Sequence, residues 1–125
     1  MTGNLPAGGS VQGIREQPRN PSLLFVGTEF GALYTVDGGR TWTQLKYNIP
    51  AVAVHDIVIH PRENDLVIGT HGRGIYIIDD ITPLEKLADA NTRGAYLFPV
   101  KAATEYNPNS PIPGGILAPG DIRYR

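Results

Sequence analysis

The chain has 125 residues, with 11 lysines and arginines against 12 aspartates and glutamates, a formal net charge of −1 and no cysteine. This length predicts one ordinary domain, and the balanced charge argues against a nucleic-acid or anionic-membrane partner. The lack of cysteine excludes disulfides, thiolate nucleophiles and cysteine-ligated zinc. No signal peptide and no membrane span are predicted, because no basic start precedes an apolar run and no apolar stretch is long enough.

The first predicted unit covers residues 1–46 and holds four short strands. Apolar runs predict these strands at 11–16, 23–27, 33–36 and 41–45. A turn at Asp37-Gly38-Gly39 separates the third strand from the fourth, since its glycines accept a positive φ. We therefore expect one four-stranded antiparallel sheet.

A second unit, residues 47–90, repeats the first. Four residues recur at an offset of 42: Gly27/Gly69, Thr28/Thr70, Tyr34/Tyr76 and Asp37/Asp79. Three upstream residues recur at an offset of 43: Val11/Val54, Ile14/Ile57 and Pro18/Pro61. Strands are predicted at 54–59, 66–69 and 75–78, and a repeat of this length built from short strands is typical of propeller blades. The sequence therefore predicts an all-β fold of two four-stranded antiparallel blades, a partial β-propeller.

The end of the second unit departs from the first and predicts a helix. Thr82 as N-cap, Pro83 at the first helical position and Glu85 at the third form a capping box. It predicts a helix at 83–88 with Leu84 and Leu87 on the buried side. In residues 91–125, we expect an extra strand at 95–100 and, from 103 onward, an irregular tail rich in proline and glycine.

Residues 35–42, Thr-Val-Asp-Gly-Gly-Arg-Thr-Trp, resemble the Asp-box of BNR repeats. Together with the motifs at 24–31, 58–61, 65–74 and 79–81, they resemble the last blades of large bacterial proteins with sortilin-like repeats, catalogued as glycosyl hydrolases. The resemblance covers about residues 11–100 and implies an exported, periplasmic or extracellular location. It also implies a structural role for the Asp-box residues, in which the aspartate caps the hairpin and the tryptophan packs between blades: Thr35, Asp37, Gly39, Thr41 and Trp42.

In a propeller, the loops at 28–31, 46–56 and 70–74 would meet at one rim. They carry acidic, imidazole, guanidinium and aromatic groups, a mixture suited to a sugar or a peptide: Glu29, Phe30, Tyr47, Asn48, His55, Asp56, His71 and Arg73. For His71 and Arg73 the favoured alternative is a polar loop without a ligand, in which Arg73 pairs with a neighbouring carboxylate.

Catalysis on this rim has little support in the sequence. Glycoside hydrolysis needs two carboxylates at a set separation, and the rim acids Glu29 and Asp56 belong to different loops. A sialidase site would need an arginine triad, and the rim offers one arginine. His55 and His60, five positions apart on one strand, point to opposite faces. We therefore predict no catalytic site in this chain, with Glu29 and Asp56 as the remaining candidate catalytic residues, and we predict no metal site and no cofactor.

Two functional classes follow. The first is a non-catalytic propeller module that binds or scaffolds protein, peptide or glycan. The second is a fragment of a carbohydrate-active hydrolase whose carboxylates lie on other blades. Because two blades cannot close a propeller, we expect further blades or other copies of the chain as partners, and an unstable isolated monomer.

Overall fold

A computed structural model describes residues 3–6 and 8–103. They form two antiparallel sheets, of four and three strands, with two short helices. The predicted predominance of β structure is confirmed, and the sheets of the described part do not close into a barrel. The tail predicted from residue 103 lies outside the described residues from position 104 on.

The first sheet contains the four strands that the sequence predicts. They are β1 (Val11–Gln17), β2 (Asn20–Thr28), β3 (Gly31–Thr35) and β4 (Thr43–Gln44), paired in chain order. β4 is shorter than the predicted 41–45, because the Thr41 N–H donates to the Asp37 carboxylate instead of joining the ladder. Apart from β4, the strands match the predicted positions to within a few residues.

Within residues 3–6 and 8–103 the second sheet has three strands, so the prediction of a second four-stranded sheet is wrong for this part of the chain. They are β5 (Val54–Ile59), β6 (Leu66–Thr70) and β7 (Ile75–Ile78), again in chain order. After β7 the chain turns at Asp80, which has a φ of 48°. The Asp80 N–H donates to Asp65 Oδ1 and the Ile81 N–H donates to the Asn64 carbonyl. These bonds direct the chain toward the β5–β6 turn, so no described residue adds a strand to β7.

The predicted helix at 83–88 is present as two short helices, α1 (Thr82–Glu85) and α2 (Leu87–Asn91). The predicted capping box is wrong. Ile81 is the N-cap, the Thr82 hydroxyl donates to Asp80, and the Glu85 carboxylate accepts from other side chains. Leu84 packs against the core, as predicted. No helix among the described residues is long and apolar enough to cross a membrane.

Residues 95–100 do not form the predicted strand. Among the described residues they pair with no neighbour, and the side chains of Leu97 and Val100 are 94% and 95% exposed. Lys101, which follows, donates to the carbonyl and the carboxylate of Glu63 in the β5–β6 turn. Strand propensity alone does not form a strand where no sheet edge lies within reach.

The pairing of the first two strands repeats between the sheets, including an irregularity. A residue bulges from β1 between Val11 and Gly13, and another bulges from β5 between Val54 and Asp56. These positions correspond at the offset of 43 seen in the sequence. The sequence repeat is therefore a structural repeat over these strands.

The third strands are shifted by one residue relative to the sequence repeat. Val26 pairs with Leu33, whereas its counterpart Ile68 pairs with Tyr76, which the sequence matched to Tyr34. The place of Leu33 is thus taken by Tyr76. Because side chains alternate along a strand, this shift reverses the face on which every β7 side chain lies.

A longer hairpin turn causes the shift. In the first sheet the Thr28 hydroxyl donates to the Gly31 carbonyl, and in the second the Thr70 hydroxyl donates to the Gly74 carbonyl. Two residues separate the first pair and three separate the second. Gly31 and Gly74 both have a positive φ, which glycine adopts readily because it has no Cβ.

Each sheet has two faces, here called A and B. In the first sheet Leu24, Val26 and Leu33 lie on the A face, and Leu23, Phe25 and Ala32 lie on the B face. Pairing places the corresponding second-sheet residues on A (Ile57, Leu66, Ile68, Tyr76, Ile78) and on B (Val58, Val67, Ile75, Ile77). The main core forms where the B face of the first sheet packs on the A face of the second. The two sheets therefore stack in the same orientation, with both A faces directed the same way along the stack.

Candidate functional site

The predicted Asp-box residues form one hydrogen-bonded turn between β3 and β4. The Thr35 hydroxyl accepts from the N–H groups of Asp37 and Gly39 and donates to Asp37 Oδ1. The Gly38 N–H donates to the Ser22 carbonyl at 3.0 Å, which fastens the turn to β2. Gly38 and Gly39 both have a positive φ, as the sequence predicts for this turn.

The Asp37 carboxylate is the acceptor at the centre of this turn. Oδ1 accepts from the N–H groups of Arg40 and Thr41, both at 2.9 Å, and Oδ2 accepts from the Thr41 hydroxyl. The bonds from Thr41 and then Thr35 hold the pKa of Asp37 far below its ordinary value, because they stabilise the charged form. These hydrogen bonds make the Asp37 carboxylate part of the structure of the turn.

Trp42 is buried on the A face of the first sheet. It packs with Leu24, Val26 and Leu33, and Leu5 of the N-terminal segment packs against this cluster. The side chain of Asn4 bonds both backbone groups of Trp42, accepting from its N–H at 2.6 Å and donating to its carbonyl at 3.1 Å. Trp42 thus lies on the side away from the second sheet and does not pack between the two sheets of this chain.

The two hairpin turns and the starts of β1 and β5 lie at the same end of the stacked sheets. Gly27, next to the first turn, is so close to β5 that a Cβ on it would lie 2.8 Å from the Val54 carbonyl oxygen. The His71 N–H in the second turn donates to the Ala53 carbonyl at 2.9 Å. This hairpin end carries six of the eight predicted rim residues.

Glu29 and Phe30 occupy the tip of the first hairpin. Glu29 Oε1 accepts from the Ser10 hydroxyl at 2.6 Å, and Ser10 accepts from the Gln12 amide. Phe30 is half exposed and lines an apolar groove of about 350 Å³ between the hairpin and the N-terminal segment. The groove is lined by Gly3, Leu5, Pro6, Gly9, Val11, Thr28 and Phe30.

Asp56, the second candidate acid, is engaged by a different strand. Its Oδ1 accepts from the Ile57 N–H at 2.9 Å and forms a salt bridge of 3.4 Å with Arg15 of β1. The Arg15 Nε also donates to the Ile57 carbonyl at 2.7 Å. The pair joins β1 to β5, and no described contact connects Asp56 with Glu29. The structure therefore gives these two acids separate partners.

The structure brings His55 and His71 together, which the sequence analysis did not foresee. Their ring centroids are 5.2 Å apart, with an angle of 39° between the planes. The β5 bulge and the long β6–β7 turn bring them together, and neither feature is visible in residue spacing. Arg73 forms no ion pair with a described residue. Tyr47 and Asn48 lie on the β4–β5 connection and contact none of the other rim side chains through a described bond.

A buried polar cluster at the opposite end was also missed. The Gln17 amide donates to Asn64 Oδ1 at 2.7 Å and to Glu85 Oε1, and Asn64 donates to the same Glu85 oxygen at 2.8 Å. Gln17 and Asn64 are 1% and 4% exposed. The cluster joins β1, the β5–β6 turn and α1. A glutamine that precedes Pro18 at a strand end gives no sequence signal for this role.

The hairpin end exposes polar and aromatic side chains, namely those of Glu29, Phe30, His55, Asp56, His71 and Arg73. Within residues 3–6 and 8–103, no group of three or more histidine and acidic side chains is arranged to hold a metal ion. Comparisons with protein-family models, with curated proteins and with solved structures found no match to this chain.

Proposed function

We propose that this chain is a non-catalytic binding or scaffold module of the β-propeller type, whose two sheets act as successive blades. The observation that carries the proposal is the stacking of the sheets the same way round. Two sheets of a sandwich related by a two-fold axis would bury the same face of each. Here the A face of one packs on the B face of the other, as in repeat proteins where each unit contacts the next.

This stacking covers the B face of one sheet and leaves the B face of the other uncovered. The B face of the first sheet is covered by the second sheet, but no described residue covers the B face of the second sheet. It exposes Val58 by 46%, Ile77 by 57% and Ile75 by 70% of their surfaces. An apolar sheet face of this kind favours a protein partner over solvent. In the proposed module, the partner is a further sheet that presents its A face.

The arrangement of the acids supports binding over catalysis. Glu29 is bonded to Ser10, and Asp56 is bonded to Arg15 and to the backbone of β5. The Asp37 carboxylate is occupied by its own turn. The exposed groups of the hairpin end remain available to a glycan or peptide ligand, as on a binding rim.

The stacking part of the proposal is tested by analytical ultracentrifugation of the wild-type chain and of Val58→Glu. Val58 lies on the open B face, so a buried charge there would oppose docking, and we expect the variant to associate more weakly. Thr43→Glu, on exposed β4, is the matched control and should associate like the wild type. Equal association of all three proteins would contradict the proposal.

The non-catalytic part is tested by a hydrolysis screen on polysaccharides and sialosides, run beside a glycan and peptide binding screen. We expect binding without turnover. Turnover that Glu29→Gln or Asp56→Asn abolishes would overturn the proposal in favour of a glycoside hydrolase.

A further inference from the structure

In the part of the chain that the structure describes, the second sheet lacks the outer strand that the first sheet has. In the first sheet β4 covers the edge of β3, and the Leu45 N–H donates to the Ala32 carbonyl at 2.9 Å. The counterpart of Ala32 in the pairing register is Ile75 of β7. No described residue occupies the place of β4 beside it.

The open edge of β7 carries unpaired backbone groups. The Thr70 N–H donates to the Gly74 carbonyl, and Ile68 pairs with Tyr76. Backbone groups alternate in direction along a strand, so the N–H and C=O of Ile75 and Ile77 point away from β6. Within the described part of the chain nothing bonds these groups. Such an edge is a template for an added strand.

An unpaired segment of matching character lies in the same chain. Residues 95–100, here called the 95–100 segment, read Ala-Tyr-Leu-Phe-Pro-Val. The rings of Tyr96 and Phe98 meet edge to face at 4.9 Å, and Leu97 and Val100 are almost fully exposed. Side chains two apart that meet on one side are expected of extended backbone. The segment thus has the residues and the shape of a strand without a sheet.

The segment is held away from the β7 edge of its own chain. Lys101 is bonded to Glu63 in the β5–β6 turn, at distances of 3.0 Å to the carbonyl and 3.0 Å to the carboxylate. In the sheet order β5-β6-β7, this turn lies on the far side of β6 from the open edge. In the antiparallel register proposed below, a strand supplied by the same chain would carry Lys101 to the hairpin end, away from Glu63, and would have to break this contact.

We propose that the 95–100 segment of one copy pairs with the β7 edge of a second copy and becomes the fourth strand of its second sheet. The pairing uses backbone hydrogen bonds for affinity and exposed apolar side chains for fit, as in other strand additions. It does not depend on the assignment of the sheets as propeller blades. It needs only a three-stranded sheet with an open edge and a free strand.

Proline determines which residues of the added strand face β7. Pro99 has no N–H and must point outward, which an edge strand permits. The backbone groups of Tyr96, Phe98 and Val100 then face β7. Of the antiparallel registers that this alternation allows, we propose the one with Phe98 opposite Ile77 and Val100 opposite Ile75, which sets the added strand beside the most exposed side chains of β7.

The test uses the full chain and a pair of proline variants. Phe98→Pro removes an N–H that faces β7, whereas Leu97→Pro is the matched control, since its N–H points outward like that of Pro99. Light scattering across a concentration series measures association. Amide hydrogen exchange, monitored by NMR, measures the protection of Ile75 and Ile77. Both variants lie outside the sheets, and circular dichroism checks that the fold is intact.

We expect the wild type and Leu97→Pro to associate, with protection at Ile75 and Ile77 that rises about tenfold or more with concentration. Phe98→Pro should associate more weakly than the wild type and leave the amides of Ile75 and Ile77 unprotected, and a synthetic peptide of residues 94–101 should restore the protection. Protection independent of concentration would place the strand in the same chain and overturn the proposal. So would a wild type with unprotected amides at every concentration. Val58→Glu leaves the β7 edge intact, so a failure of stacking and a failure of strand exchange give different results.

Discussion

Truncation of Trp42 to alanine should destabilise the protein more than any change at the hairpin end. The Trp42 side chain is 4% exposed and packs on Leu24, Val26 and Leu33. Truncation of a buried tryptophan costs about 3–5 kcal/mol, because transfer free energy is lost and a cavity remains. A small domain is stable by about 5–15 kcal/mol, so this is a large share of the total. The hydrogen bonds of Asn4 go to the backbone at position 42, so the substitution isolates the side chain.

The assay is denaturant unfolding followed by circular dichroism, since Trp42 is the only tryptophan and its fluorescence is lost in the variant. His71→Ala is the comparison variant, because His71 is exposed and surface changes cost less than about 1 kcal/mol. Trp42→Phe should fall between the wild type and Trp42→Ala. If His71→Ala proved more destabilising than Trp42→Ala, the packing of Trp42 on Leu24, Val26 and Leu33 would not be a main source of stability.

Three further changes test other contacts. Gln17→Ala should lower the free energy of unfolding by about 2–4 kcal/mol, because it leaves the buried Asn64 Oδ1 without the Gln17 donor. A free energy of unfolding close to that of the wild type would contradict a stabilising role for the polar cluster. Gly27→Ala should cost about 1–3 kcal/mol, because the new Cβ would lie 2.8 Å from the Val54 carbonyl oxygen, and an unchanged midpoint would show that the sheets separate freely. The hydrogen bonds that lower the pKa of Asp37 stabilise the folded state at pH values above the unfolded-state pKa of this residue, about 3.8. This stabilisation is lost as the pH falls through the lower pKa of the folded state. The melting temperature should therefore fall more steeply below about pH 4 in the wild type than in Asp37→Asn, and parallel profiles would refute this role.

The strands of the first sheet and the turn between β3 and β4 could be predicted because their signals are local. The apolar runs, Pro18 after the first strand and the Asp37-Gly38-Gly39 turn each determine the local structure within a few residues. The bonds of Asp37 also follow from its position in the turn. The repeat of the first two strands is likewise visible, since each strand keeps its own pattern.

The remaining features depend on contacts between distant residues. The 95–100 segment has strand propensity, but its sheet partner is not determined by propensity. The capping box fails because Glu85 meets Gln17 and Asn64 instead of the helix start. The one-residue shift of β7 depends on the length of the β6–β7 turn. The sequence repeat does not show this length, because the residues before and after the turn match those of the first sheet at one constant offset. The same turn brings His71 to His55, so this contact was missed for the same reason.

The shift in β7 also shows how this strand tolerates a change in loop length. Ile75, Tyr76, Ile77 and Ile78 are apolar on both faces, unlike β3, where a polar threonine follows Tyr34. An insertion or deletion in the preceding turn would exchange the faces of β7 without burying a polar group. The length of the turn decides which face of the sheet each β7 side chain lies on, and these apolar side chains fit either face. The loop beside the hairpin end is thus free to vary in length, and so in the groups it displays, without loss of the sheet beneath it.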